Sequence, residues 1–186
     1  MGDGPAPHRA DQDRADQDRA DQDRADQDRA DVDRADVDRA DQDRADVARL
    51  LGRAPAGDFT VAVRAADGTP AVIVNAPLLH AGRPMPTRYW LVDPHLREQV
   101  SRLESHGGVR QAEAEVDPDQ LAAAHRRYAN ERDAALPPDH RGPVPSGGVG
   151  GTRVGVKCLH AHLAWYLAGG DDPVGRWVAQ RLGLHR

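Results

Sequence analysis

Within six residues near the C-terminus stand the chain's one lysine, its one cysteine and two histidines: Lys157, Cys158, His160 and His162. Thiols and imidazoles ligate metals, attack electrophiles and move protons, and an ammonium group holds anions. A helix from about Gly155 to Ala168 would put Cys158, Leu159, His162, Leu163 and Tyr166 on one face, with Lys157, His160, Ala161 and Ala164 on the other. Cys158 and His162 are then i,i+4, a spacing that suits two ligands of one metal. Their neighbours on that face are apolar, however, and buried Cys and His are commonly structural. Further ligands would have to come from His125, Asp139 or His140, which no spacing ties to the pair. The expectation is a structural pair, with no metal and no cofactor. Lys157 stands out because the other 24 basic residues are all arginine.

Ahead of this segment runs a glycine-rich loop. Gly147, Gly148, Gly150 and Gly151 free the backbone to turn N–H groups toward an anion, with a helix start behind them and Arg153 and Lys157 as charges. It is not a nucleoside-triphosphate loop, because no Gly-Lys-Ser/Thr follows. A third group lies on a helix opened by Asp117-Pro118. There His125, Tyr128 and Arg132 share a stripe with Leu121, Ala124 and Leu136. Three polar groups on an inward face need partners, so they form either an internal network or the wall of a cleft.

The elements that must position these residues are legible. Phe59–Arg64 and Ala71–Asn75 read as strands around the Asp67-Gly68 turn, and Tyr89–Val92 as a third. Asp93-Pro94, Asp117-Pro118 and Asp172-Pro173 are helix starts, with Asp as N-cap and Pro in the first turn. The first helix should run to about Ser105 and stop at Gly107-Gly108, the second to about Leu136, the last through Leu182. Strands first and helices after argue an α+β fold: a small antiparallel three-stranded sheet packed with four or five helices.

The N-terminal quarter is different. From Ala10 to Arg49 a pentapeptide, Ala-Asp-Gln/Val-Asp-Arg, repeats eight times. Each repeat is turned about 140° from the last on a helix, so no apolar stripe forms. Residues 1–45 are expected to be a disordered or fraying tail, regular only near Asp46–Leu51, ahead of one domain over 46–186. The first 48 residues carry a net charge of −8 and the other 138 a net charge of +3, too mild to imply nucleic acid. One cysteine excludes an intrachain disulfide, and no apolar run approaches a membrane span or a leader. A cytoplasmic protein without nucleic-acid or membrane partners is expected.

The string Gly147-Gly-Val-Gly-Gly-Thr-Arg-Val-Gly-Val-Lys-Cys-Leu-His-Ala-His162, with Gly169-Gly-Asp-Asp-Pro-Val-Gly175, resembles the C-terminal signature of the family catalogued as domain of unknown function 501, found mainly in actinobacteria. Pro84–Val92 and Ser101–Ser105 are similar to its middle segments. The resemblance covers about residues 46 to 180. It implies no catalytic residues, and its gene neighbours, a septum-formation initiator and an exopolyphosphatase, suggest a division or polyphosphate context. The residues themselves suggest a small anionic, phosphate-bearing ligand, with hydrolase or transferase chemistry as an extension. Tyr128, Arg132, Gly148, Gly150, Gly151, Arg153 and Lys157 would bind it, and His125 or His160 would carry a proton. The alternative is a non-catalytic adaptor of the division or envelope machinery, which would have a protein partner.

Overall fold

The strand Ala71-Val-Ile-Val is apolar on both faces, and the computed structural model, which describes residues 9–184, buries both. β2 (Pro70–Asn75) is the middle strand between β1 (Phe59–Arg64) and β3 (Tyr89–Leu91), all antiparallel. The two-residue period sends Val72 and Val74 to one face beside Leu91 and Tyr89. It sends Ile73 to the other beside Val61 and Trp90. The β1–β2 turn closes at Asp67-Gly68, where the Asp67 carboxylate accepts from the Thr69 N–H at 2.9 Å.

Among the described residues six α-helices accompany the sheet. α1 (Arg9–Leu51) holds the repeat, and α2 (Pro94–Ser105), α3 (Gly108–Glu115), α4 (Pro118–Ala134), α5 (Leu159–Leu167) and α6 (Pro173–Arg181) follow β3. The Val72 face of the sheet packs with the helices into the main core, around Val100, Leu159, Leu163, Trp165 and Val178. The Ile73 face is covered by the last turns of α1, through Val47, Leu50 and Leu51.

The chain divides into two compact units, Met1–Gln42 and Asp43–Arg186. In the first, the repeat is helical from Arg9, and every side chain from 24 to 42 is exposed. An exposed helix of this kind fits the disordered or fraying repeat tail expected from the sequence. Ala, Gln and Arg are good helix formers, and a helix polar on all sides needs no buried stripe. Residues 1–8 of the tail lie outside the described residues. The second unit includes the α1 terminus, where Asp43 makes a two-bond ion pair with Arg64 at 2.7 and 2.8 Å. Among the described residues no helix is long and apolar enough to cross a membrane.

All three Asp-Pro starts are helix starts, each carboxylate accepting from backbone N–H groups at 2.7–2.9 Å. α2 ends at Ser105, ahead of Gly107-Gly108, as expected. Gly107, at φ 83°, then turns the chain into a short helix not expected from the sequence, α3, and Gly108 has no room for a side chain against the Leu103 carbonyl. One expectation needs correction. The C-terminal helix begins at Leu159 rather than Gly155, since Gly155 sits at φ 71° and the next N–H, of Val156, is drawn off by Glu113. Lys157 is therefore exposed in the lead-in and lies on no helix face.

A chain beginning at Gln42 should melt at the same temperature as the full chain, because the second unit has its own core. Val47→Ala should instead lower the unfolding free energy by about 2 kcal/mol, since Val47 is fully buried against Ile73 and Val92. Urea denaturation of the two chains and the variant checks both.

Candidate functional site

α4 turns its polar stripe inward, and each group on it has a partner. The His125 ring bridges two points of the glycine-rich loop. Its Nδ1 accepts from the Val149 N–H at 3.1 Å, and its Nε2 donates to the Gly155 carbonyl at 3.0 Å. Those partners require the neutral ring, and burial lowers the His125 pKa accordingly. Tyr128 accepts from the Arg88 N–H at 2.6 Å, and burial pushes its pKa up to about 12. Arg132, 1% exposed, donates to the Gly147 carbonyl at 2.6 Å and is ion-paired with Asp133 at 2.8 Å. Glu131 accepts from Tyr89 and from the Trp165 indole. Of the two readings of the stripe, the internal network describes Tyr128.

The loop itself spends its N–H groups internally. Gly148 donates to Thr152, Gly151 to Gly148 and Thr152 to Val149. A side chain at Gly148 would collide with the His125 ring, so glycine is needed there for close approach. Gly150 and Gly151 form a single 3-10 turn, Val149–Gly151. The expected cradle of N–H groups at a helix start is thus not formed: the Gly148, Val149, Gly151 and Thr152 donors are used, and α5 begins eight residues after Gly151. His125, Arg132, Gly148 and Arg153 do meet, around a shallow depression of about 460 Å³ that Arg126 also borders. Lys157 and His160 are not among its walls.

A larger cavity, about 760 Å³, opens between the segment after α1, β3 and the first turns of α2 and α5. Arg53, Thr87, Trp90, Arg97, Ser101, Cys158 and His160 line it. Cys158 is the N-cap of α5 in extended conformation and does not cap it with its side chain. The Glu104 carboxylate of α2 does so from outside, accepting from the Leu159 N–H at 2.6 Å. The same oxygen lies 3.2 Å from His160 Nδ1, and Cys158 Sγ lies 3.7 Å from that nitrogen. His160 Nε2 faces the Arg97 carbonyl at 3.1 Å and the Ser101 hydroxyl at 3.2 Å. Burial disfavours the protonated ring, but the Cys158 sulfur, the Glu104 carboxylate and the Arg97 carbonyl outweigh it, and the His160 pKa is raised.

Cys158 therefore pairs with His160 and not with His162. The i,i+4 expectation fails because the helix starts one residue after Cys158. His162 is 1% exposed and donates from Nδ1 to Asp172 Oδ2 at 2.7 Å. Its ring ties α5 to the carboxylate that caps α6. Glu104, Arg53 and Arg97 were not singled out by sequence. Ser101–Ser105 carried only the resemblance, and no spacing connects α2 to residue 158.

The domain is α+β, and of the neighbouring thiol, imidazole and carboxylate, Cys158 and His160 line this cavity while Glu104 lies against His160 from α2. The family model described as "Protein of unknown function (DUF501)" matches residues 61–180, and the chain belongs to that family. No curated protein and no solved structure matches the chain.

Neutral His125 makes stability depend on pH. Its folded pKa lies below the ordinary 6.5, so the unfolded chain takes up the proton first as pH falls. The contribution is complete above 6.5 and is lost as pH drops through the folded value. Urea midpoints from about pH 7.5 to about pH 5 should fall more steeply for the wild type than for His125→Gln, which has no proton to gain. Parallel profiles would contradict this.

Proposed function

We propose that the cavity beside β3 binds a small anionic ligand, with phosphate-bearing compounds as the class it suits. One observation carries the reading: neither Arg53 nor Arg97, both exposed on its wall, has a carboxylate partner among the described residues. Arg97 spends one N–H on the Leu50 carbonyl at 3.3 Å, and Arg53 lies over the Trp90 ring at 5.4 Å. Their remaining donors are available to an anion, and Glu98 on the same wall is neutralised by Arg102 at 2.5 Å. The volume is that of a small-molecule site.

Groups that a hydrolase or transferase needs are close by: Cys158 and His160 line the same cavity, and Glu104 lies beside them. His160 keeps the catalytic role considered for it. His125 has both nitrogens engaged away from this cavity and is better assigned to holding the loop. The depression bordered by Arg126 and Arg153 is the second place for an anion, because these two exposed guanidinium groups also lack carboxylate partners among the described residues. The adaptor reading has less support. The large apolar side chains exposed among the described residues are Val32, Val37, Val144 and Val154, which are scattered along the chain.

Thermal melts in phosphate, pyrophosphate and a short polyphosphate, against chloride at matched ionic strength, test the proposal. A ligand that binds only the folded chain raises its melting temperature. The gain should shrink in Arg97→Ala and Arg53→Ala and persist in Arg153→Ala and Lys157→Ala. Loss in Arg153→Ala alone would move the site to the loop depression. No shift with any anion beyond chloride would remove the reading.

A further inference from the structure

Cys158 and His160 on the cavity wall and Glu104 beside them make a geometric figure of their own. A sulfur, a ring nitrogen and a carboxylate oxygen from these three all lie within 4.8 Å of one another. Tetrahedral zinc, with bonds of about 2.3 Å to sulfur and about 2.0 Å to nitrogen or oxygen, separates its S and N ligands by about 3.6 Å and its N and O ligands by about 3.3 Å. The corresponding distances here are 3.7 and 3.2 Å.

A second observation, independent of those distances, concerns the far side of the ring. The Arg97 carbonyl can only accept, so His160 Nε2 carries a proton and donates to it. That leaves Nδ1 as the atom aimed at sulfur and carboxylate, carrying a proton when the ring is charged and a lone pair when it is neutral. A backbone carbonyl behind a ligating imidazole is the usual arrangement in metal sites. We infer that Glu104, Cys158 and His160 form a three-ligand site for a divalent transition metal, zinc by its S, N, O donor set, with the fourth position open to the cavity. On binding, the Sγ proton and the proton held between Nδ1 and Glu104 are released to solvent, Sγ becomes a thiolate ligand, and Nδ1 binds through its lone pair. Metal binding itself does not require the anion reading. Only the use of the fourth position, to hold an anionic ligand or a water, rests on it.

The test uses the full chain without an affinity tag, stripped by a chelator, in phosphate-free buffer. Titration with Co²⁺ should saturate at one equivalent, with a thiolate-to-cobalt charge-transfer band and the intense visible bands of a tetrahedral ion. Zn²⁺ should displace the cobalt and protect Cys158 of the unmodified chain from alkylation by iodoacetamide. Cys158→Ser should abolish the charge-transfer band, and Glu104→Gln and His160→Ala should weaken binding about tenfold or more. His80→Ala, at an exposed histidine remote from the cluster, should bind as wild type. Circular dichroism melts establish that each variant is folded. Binding without a charge-transfer band, a band unchanged in a folded His160→Ala chain, or alkylation indifferent to Zn²⁺ would each overturn the site. Alkylation that is fast but zinc-insensitive would assign the trio to thiol chemistry instead. If cobalt binds and phosphate produces no shift, the anion reading falls and the metal site stands; the opposite pair of results removes the metal site alone.

Discussion

Burying an arginine is tolerable only when its charge and its donors are met, and Arg132 sets the terms for much of the domain. With its side chain 2% exposed, it reaches the Gly147 carbonyl on one side and Asp133 on the other. The rest of the α4 stripe works in the same way. His125 ties Val149 to Gly155, Tyr128 holds the Arg88 backbone, and Glu131 joins Tyr89 to Trp165. Each bond contributes about 1 kcal/mol net, but a lost partner leaves a buried polar group unmet at about 1–3 kcal/mol. The segment leading into β3 and the loop before α5 are therefore tied to α4.

That constraint reaches the candidate site through the backbone. Tyr128 fixes the residues that lead into β3, and Thr87 and Tyr89 wall the large cavity. His125 holds Gly155, and Glu113 holds the next N–H, so the chain arrives at Cys158 from anchored positions. The polar stripe thus positions the cavity without lining it.

Carboxylates of α2 and α3 complete the framework. Glu104 and Glu113 accept backbone N–H groups of residues 159 and 156, and Glu115 accepts from the Trp177 indole and Arg181. Capping α5 from outside has a chemical consequence. Since Glu104 satisfies the Leu159 N–H, the N-cap side chain is released from that task, and Cys158 turns its sulfur toward His160 and the cavity. Arg97 contributes twice, its carbonyl orienting the His160 ring and its guanidinium facing the cavity.

Local chemistry made much of the fold readable. The three Asp-Pro dipeptides mark helix starts because cap and first-turn preferences act within three residues, and the alternation in Phe59–Arg64 and the Asp67-Gly68 turn mark the hairpin for the same reason. The inward polar stripe of α4 was legible from helical period alone. Its partners were not, because they lie 15 to 42 residues away along the chain. The start of α5 was misread for a related reason: its capping carboxylate is 55 residues upstream, and no pattern around Cys158 announces it. Sequence by itself marked Cys158, His160, His162 and the α4 stripe as residues that could do chemistry, and the strands and Asp-Pro helices around them, but not Glu104, Arg53 or Arg97. Only the tertiary structure decided that Cys158 meets His160 and Glu104 while His162 goes to Asp172. The angular position of a side chain depends on where its helix begins, and here a contact from another helix sets that beginning.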